Sequence, residues 1–188
     1  MSSSEVPPTP SVDSSVKKQG DDGAPEPLRS VHTSNFPEIL EHLGCSLMVS
    51  TYQAGRLVML RTQNGTLNTH FRSFDKPMGL ALSDNRLAVG AANSIWEFHN
   101  LPAVGEKLNA DSDPPVTTQH DACFLPRVTH WTGDIQIHEM AWVGQGTEAE
   151  LWFVNTRFSC LCIRSGLYNF QPVWRPSFIT DFMPGDCC

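Results

Sequence analysis

Apolar and polar residues alternate in short runs along most of this chain, and turn formers punctuate the runs. Residues 46–51 (Ser-Leu-Met-Val-Ser-Thr) and 56–61 (Arg-Leu-Val-Met-Leu-Arg) read as strands joined by a turn at Gln53-Ala54-Gly55. Asn64-Gly65 then predicts a hairpin, because both residues tolerate the positive φ of a tight turn. A third strand runs over 66–71. A second unit repeats the arrangement, with strands at 78–82, 86–90 and 94–98 and turns at Ser83-Asp84-Asn85 and Ala91-Ala92-Asn93. A third places strands at 137–143, 150–155 and 158–164, with turns at 144–149 and at Thr156-Arg157. Ahead of the first unit, residues 36–44 predict a short helix or turn, with Ser34 or Asn35 to cap its start and Gly44 to end it.

The units superimpose. Leu47, Leu87 and Leu151 each open an apolar strand that precedes a turn, and each turn leads into another apolar strand. Leu47 and Leu87 lie 40 positions apart; Leu87 and Leu151 lie 64 apart, the same spacing plus about 24 residues where the pattern breaks. Repeats of roughly 40 to 50 residues with about four strands each are the signature of propeller blades, which must stack because one blade cannot cover both of its faces. The predicted fold is therefore all-β and β-propeller-like. Three blades are visible, fewer than the roughly 4 to 8 that close a ring, so the expectation is an incomplete propeller, the front part of a longer one. A repetitive β-sandwich is the alternative. An irregular insertion at about 100–136 interrupts the repeats, and a long loop of that kind is expected to be functional. Residues 170–179 carry two prolines, Pro172 and Pro176, in an aromatic run and predict an extended connector rather than a central strand.

Composition narrows the picture. Residues 1–30 are Pro, Ser, Gly and charge, too poor in apolar side chains to offset the entropy of ordering, and predict a disordered tail. Folded matter is expected over 31–188. The formal charge of −7 with only thirteen scattered Lys and Arg argues against nucleic-acid binding. No apolar run is long enough for a membrane span, and the first residues lack a signal-peptide or transit pattern. A cytoplasmic protein is expected, its cysteines thiols and its sequon Asn64-Gly65-Thr66 unused. Cys160 and Cys162 share one face of a strand, which is not zinc-knuckle spacing, and Cys187-Cys188 suggests an abrupt terminus.

Candidate chemistry is sparse. His138-Glu139 stands at the start of the third unit, where strand alternation sends the two side chains to opposite faces; one is expected to reach a channel rim. The zinc-protease pattern fails because position 142 is Trp. Asp121, Cys123, Arg127, His130 and Asp134 fall in or after the long loop. They read either as polar groups capping their own backbone or, for Arg127 and His130, as contacts to an anionic or polar ligand; a Cys123–His dyad has no geometry in the sequence. Tyr52, Asn93 and Arg157 occupy equivalent turns and can line one surface. Trp96, Trp142, Trp152, Phe153 and Phe158 read as blade packing, whereas Trp131 and Trp174 fall outside clean strands and suit exposed contacts. No phosphate-cradling glycine loop or nucleophile elbow is present.

Several segments also resemble a known family. Residues 46–55 read Ser-Leu-Met-Val-Ser-Thr-Tyr-Gln-Ala-Gly, 77–81 Pro-Met-Gly-Leu-Ala and 121–127 Asp-Ala-Cys-Phe-Leu-Pro-Arg. Residues 132–141 read Thr-Gly-Asp-Ile-Gln-Ile-His-Glu-Met-Ala, 151–161 Leu-Trp-Phe-Val-Asn-Thr-Arg-Phe-Ser-Cys-Leu and 169–179 Asn-Phe-Gln-Pro-Val-Trp-Arg-Pro-Ser-Phe-Ile. Over 36–182 the chain is similar to the conserved hypothetical protein family of bacteria and algae. That resemblance implies a β-propeller-like domain, sometimes fused to tetratricopeptide repeats, of no assigned activity and with no catalytic residues to carry over. It also implies continuation past residue 182, and the chain departs from the family at Gly185-Asp186-Cys187-Cys188.

Three functions compete. The first is a non-catalytic ligand- or protein-binding module using Arg127, His130, His138, Glu139, Asn155 and Arg157, with no cofactor. The second is a metal-assisted hydrolase or lactonase of propeller type, with Asp121, His138, Glu139 and Asn155 around a divalent ion. The third is a truncated, inactive paralogue whose open ring associates or aggregates.

Overall fold

Strand runs bounded by turn formers become strands here with little displacement. The computed structural model describes residues 31–110 and 120–182; the tail expected at 1–30, and Cys187 and Cys188, lie outside the described residues. Helix α1 (Phe36–Leu43) has Pro37 in its first turn and ends at Gly44, which takes a left-handed φ of 59°. Gly44 and Cys45 donate back to Glu41 and Leu40, so glycine is needed to close the helix this way. Asn35 stands at the N-cap without a side-chain capping bond.

Strands β1 (Leu47–Thr51), β2 (Arg56–Gln63) and β3 (Thr66–Ser73) form the first sheet. Asn64 and Gly65 both have positive φ, 51° and 70°, as the two-residue β2–β3 hairpin requires. Strands β4 (Leu80–Ser83), β5 (Arg86–Gly90) and β6 (Ser94–Asn100) lead into helix α2 (Pro102–Ala110) and then β7 (Phe124–Trp131). The second sheet has the order β4-β5-β6-β7. Strands β8 (Ile137–Val143), β9 (Glu150–Asn155), β10 (Cys160–Ile163) and β11 (Gln171–Trp174) make the third sheet in the same sequential order, and α3 (Ser177–Phe182) follows. Every pairing is antiparallel.

Two segments differ from expectation. Much of 100–136, predicted irregular, carries α2 and β7, the fourth strand of the second sheet. Pro126 and a register shift opposite Glu97/Phe98 hid the strand period. Residues 171–174 are a strand rather than a connector, although at the sheet edge, where Pro172 costs no interior ladder bond.

The sheets stack in chain order. Leu57 of the first sheet packs with Leu87 and Val89 of the second, joined by Met48, Phe74, Trp96 and Phe98. Ala81, Ala88 and Ile95 of the second pack with Ile137, Leu151, Phe153, Cys160 and Cys162 of the third. Adjacent residues of β5 thus serve opposite cores, which is why this strand reads as an unbroken apolar run. Glu97, buried in that second interface, pairs with Arg164, while the Arg86 guanidinium lies 4.1 Å from the centre of the Trp142 ring. The architecture is all-β with few helices, and no described sheet closes on itself.

Leu47, Leu87 and Leu151 occupy matching places. Each lies on the strand before a turn, and the residue after the last strand returns to that turn: Phe74 N–H to Gly55 O (3.0 Å), and Thr132 N–H to Asn93 O (3.0 Å). On this matching β1 corresponds to β5 and β9. Among the described residues the first sheet has no strand in the position of β4 and β8, and β1 is an edge.

Candidate functional site: a rim of turns at one end of the sheets

A run of backbone hydrogen bonds links the turns of all three sheets. Gly55 O accepts from Phe74 N–H; Asp75 O accepts from Ala92 N–H (2.9 Å); Ala92 O accepts from Ile135 (3.1 Å) and Gln136 (2.9 Å); Ile135 O accepts from Arg157 N–H (3.2 Å). The turns holding Tyr52, Asn93 and Arg157 therefore share one end of the stack, bridged by the connections after β3 and β7. Side chains extend the rim: Lys76 Nζ lies 5.9 Å from the Tyr52 ring centre, and Arg157 pairs with Asp134, which also receives Gln136. Both members of the Arg157–Asp134 pair are more than half exposed, so the pair adds little stability. Lys76 carries no sequence signal for a place on the rim; it sits at a positive φ of 47° in the bend after β3.

Next to the rim, His138 Nδ1 and Glu139 Oε1 lie 3.1 Å apart, both exposed. Strand alternation predicted opposite faces for them. A β-bulge between Ile137 and Met140 breaks the ladder there and suspends the alternation, bringing the side chains together. Asn155, cross-strand from Ile137, is fully buried on the core side with Leu151 and Phe153. Its Oδ1 accepts Phe158 N–H at 3.1 Å, holding the β9–β10 turn, and its Nδ2 has no partner among the described residues.

The remaining candidates spread over β7 and its approach. Arg127 is exposed and falls at the register shift between the Val128 and Pro126 pairings. His130 Nε2 meets Asn169 O at 2.7 Å, tying β7 to the third sheet. Asp121 is exposed in the approach to β7. Cys123 is fixed through its backbone by Asn100 and Leu101, while His120 Nδ1 is taken by Arg61 at 2.7 Å. The structure thus joins His138 with Glu139 and Arg157 with Asp134, and sets Asn155 on the core-side face of the third sheet, away from both pairs. Among the described residues no group of three or more His, Cys, Asp or Glu side chains is placed to hold a metal ion. Trp131 and Trp174 are exposed, as expected.

Three sequential antiparallel sheets with a shared rim of turns define a repeat-built β protein. The chain belongs to a family known by a domain of unknown function (DUF4915), whose model matches residues 34–188. No curated protein matches it. Among the described residues no helix is long and apolar enough to cross a membrane.

Proposed function

We propose that the three sheets are successive blades of a β-propeller and that the protein is a binding module. Its rim of turns takes a polar ligand or a protein surface without turning it over. The observation that carries this reading is the run of hydrogen bonds from Gly55 to Arg157, which brings three turns to one end of the stack. Stacking in chain order supports the blade assignment, as does the approach of the first strands: a Cβ on Gly79 would stand 2.5 Å from Met140. Tyr52, Lys76, Asn93, Asp134 and Arg157 give the rim an aromatic anchor ringed by polar groups, a composition suited to recognition. The hydrolase alternative retains one assembled element, the His138–Glu139 pair.

The test is turnover. The purified full chain is incubated with p-nitrophenyl acetate and a simple γ-lactone, each with Ca²⁺, Mn²⁺ or Zn²⁺. Hydrolysis at the buffer rate is the expected result. Metal-dependent hydrolysis that Glu139→Gln abolishes would overturn the binding-module reading in favour of the hydrolase.

A further inference from the structure

We infer that the chain associates head to tail with a second copy of itself, the far face of the third sheet in one copy covering the open face of the first sheet in the other. The inference rests on the same stacking as the blade reading and goes beyond it by naming the surfaces and their occupant.

Each sheet has a leading face, turned towards its predecessor, and a trailing face, turned towards its successor. Leading-face residues of the second and third sheets are sealed: Leu87 is 3% exposed and Val89 0%, Leu151 0% and Phe153 1%. The residues in matching places on the first sheet, Leu47 and Val49, are 42% and 36% exposed. Helix α1 covers only one end of that face, where Thr62 donates to Pro37 O and Leu40 is buried. Trailing faces show the same contrast. Ala88 and Ile95 of the second sheet are fully buried under the third. On the third sheet Ala141 is exposed, Trp152, Val154 and Leu161 are half-buried, and Trp174, cross-strand from Leu161, is exposed. Two open grooves of about 400 and 290 Å³ run along this face, sharing Val154 and Leu161, and Pro176 and Ile179 at the start of α3 wall only the edge of the larger.

One kind of contact, trailing face on leading face, forms twice within the chain. Among the described residues its two halves recur without a covering sheet, one at each end of the stack. Exposed apolar patches of this kind mark interaction sites. A surface that fits the bare trailing face is one built like the leading faces already seated on the other two, and every copy carries it. The contact is heterologous, and two copies satisfy both halves only if the rotation closes.

Size-exclusion chromatography with light scattering on the full chain reads the outcome. The expected mass is twice the 20.8 kDa of one chain. Val49→Glu on the leading face and Leu161→Glu on the trailing face each place a charge in the contact. Each should raise the dissociation constant at least roughly a hundredfold. Trp174→Glu, at a more exposed position on the trailing face, is the second variant should Leu161→Glu fail to fold, and near-UV circular dichroism reports folding. An equimolar mixture of Val49→Glu with a trailing-face variant should form heterodimers, since one intact half of the contact remains on each. A monomeric wild-type chain with a cooperative melt overturns the association and leaves the blade reading standing. Dimers that survive Val49→Glu, larger open oligomers, or a foreign protein held on the Leu161 face instead of a second copy also overturn it.

Discussion

At the scale of single residues, the ion pair between the second and third sheets makes an asymmetric prediction. The Glu97 side chain is 4% exposed and that of Arg164 32%. Arg164→Ala strands a carboxylate in the core, a loss of about 3–5 kcal/mol. Glu97→Ala leaves a guanidinium that can reach water, and should cost less, about 1–2 kcal/mol. Urea denaturation of the two variants checks the order; equal losses would mean that the pair is not buried as described. His70 carries a second prediction. Partial burial, then the nearby Arg72 and Arg61 guanidinium groups, hold its imidazole below the usual histidine pKa. Below about pH 6.5 the unfolded chain then binds more protons than the folded one, so stability falls as pH drops through that window and is unaffected above it. Acidification from about pH 7.5 to 5.5 should lower the urea midpoint less in His70→Gln than in the parent, and Arg72→Ala should move the His70 titration upward by NMR. Neither site is legible in the sequence. Glu97 stands in an apolar strand, which is itself a sign of a buried partner, but nothing in the sequence points to Arg164, 67 positions on.

Elements were far more legible, and the reasons lie in local chemistry. The Asn64-Gly65 turn and the Gly44 helix end follow from which residues accept positive φ, and both form as predicted. β7 is hard to read in the sequence because a proline and a register shift erase its period of two, and strand alternation separates His138 from Glu139 where the bulge brings them together. Two glycines, Gly79 ahead of β4 and Gly90 at the end of β5, give a test of how closely the sheets approach. A Cβ at Gly90 would lie 2.5 Å from Ile137 Cγ2 and 2.6 Å from Met140 Sδ, whereas one at Gly79 would lie 2.5 Å from Met140 Cγ. Ile137 is β-branched and fully buried, so it cannot swing aside; Met140 is flexible. Gly90→Ala should therefore lose about 1–3 kcal/mol and Gly79→Ala less. Adding Met140→Ala should rescue Gly79→Ala more fully than Gly90→Ala. Equal rescue in thermal melts would show that Ile137 does not bound the gap.

For the whole molecule, three repeating units were legible from Leu47, Leu87 and Leu151, but stacking order and the shared rim were not, since those depend on which loops meet. The stack implies a gradient of local stability. The second sheet is covered on both faces, with Ala88 serving one core and Val89 the other. Among the described residues the first and third are each covered by a neighbouring sheet on one face only, and β1 is also an edge. Opening β1 uncovers side chains already partly in water, whereas opening β5 uncovers both cores at once. Amides of β5 should therefore exchange with deuterium only through global unfolding, and those of β1 through a local opening at least about 1.4 kcal/mol easier, a tenfold difference in rate. The comparison belongs in the Leu161→Glu variant, where no second copy can shield the first sheet. Protection of β1 equal to that of β5 would require a cover over Leu47 and Val49 from elsewhere in the chain, and both the stacking order and the head-to-tail contact would then have to be redrawn.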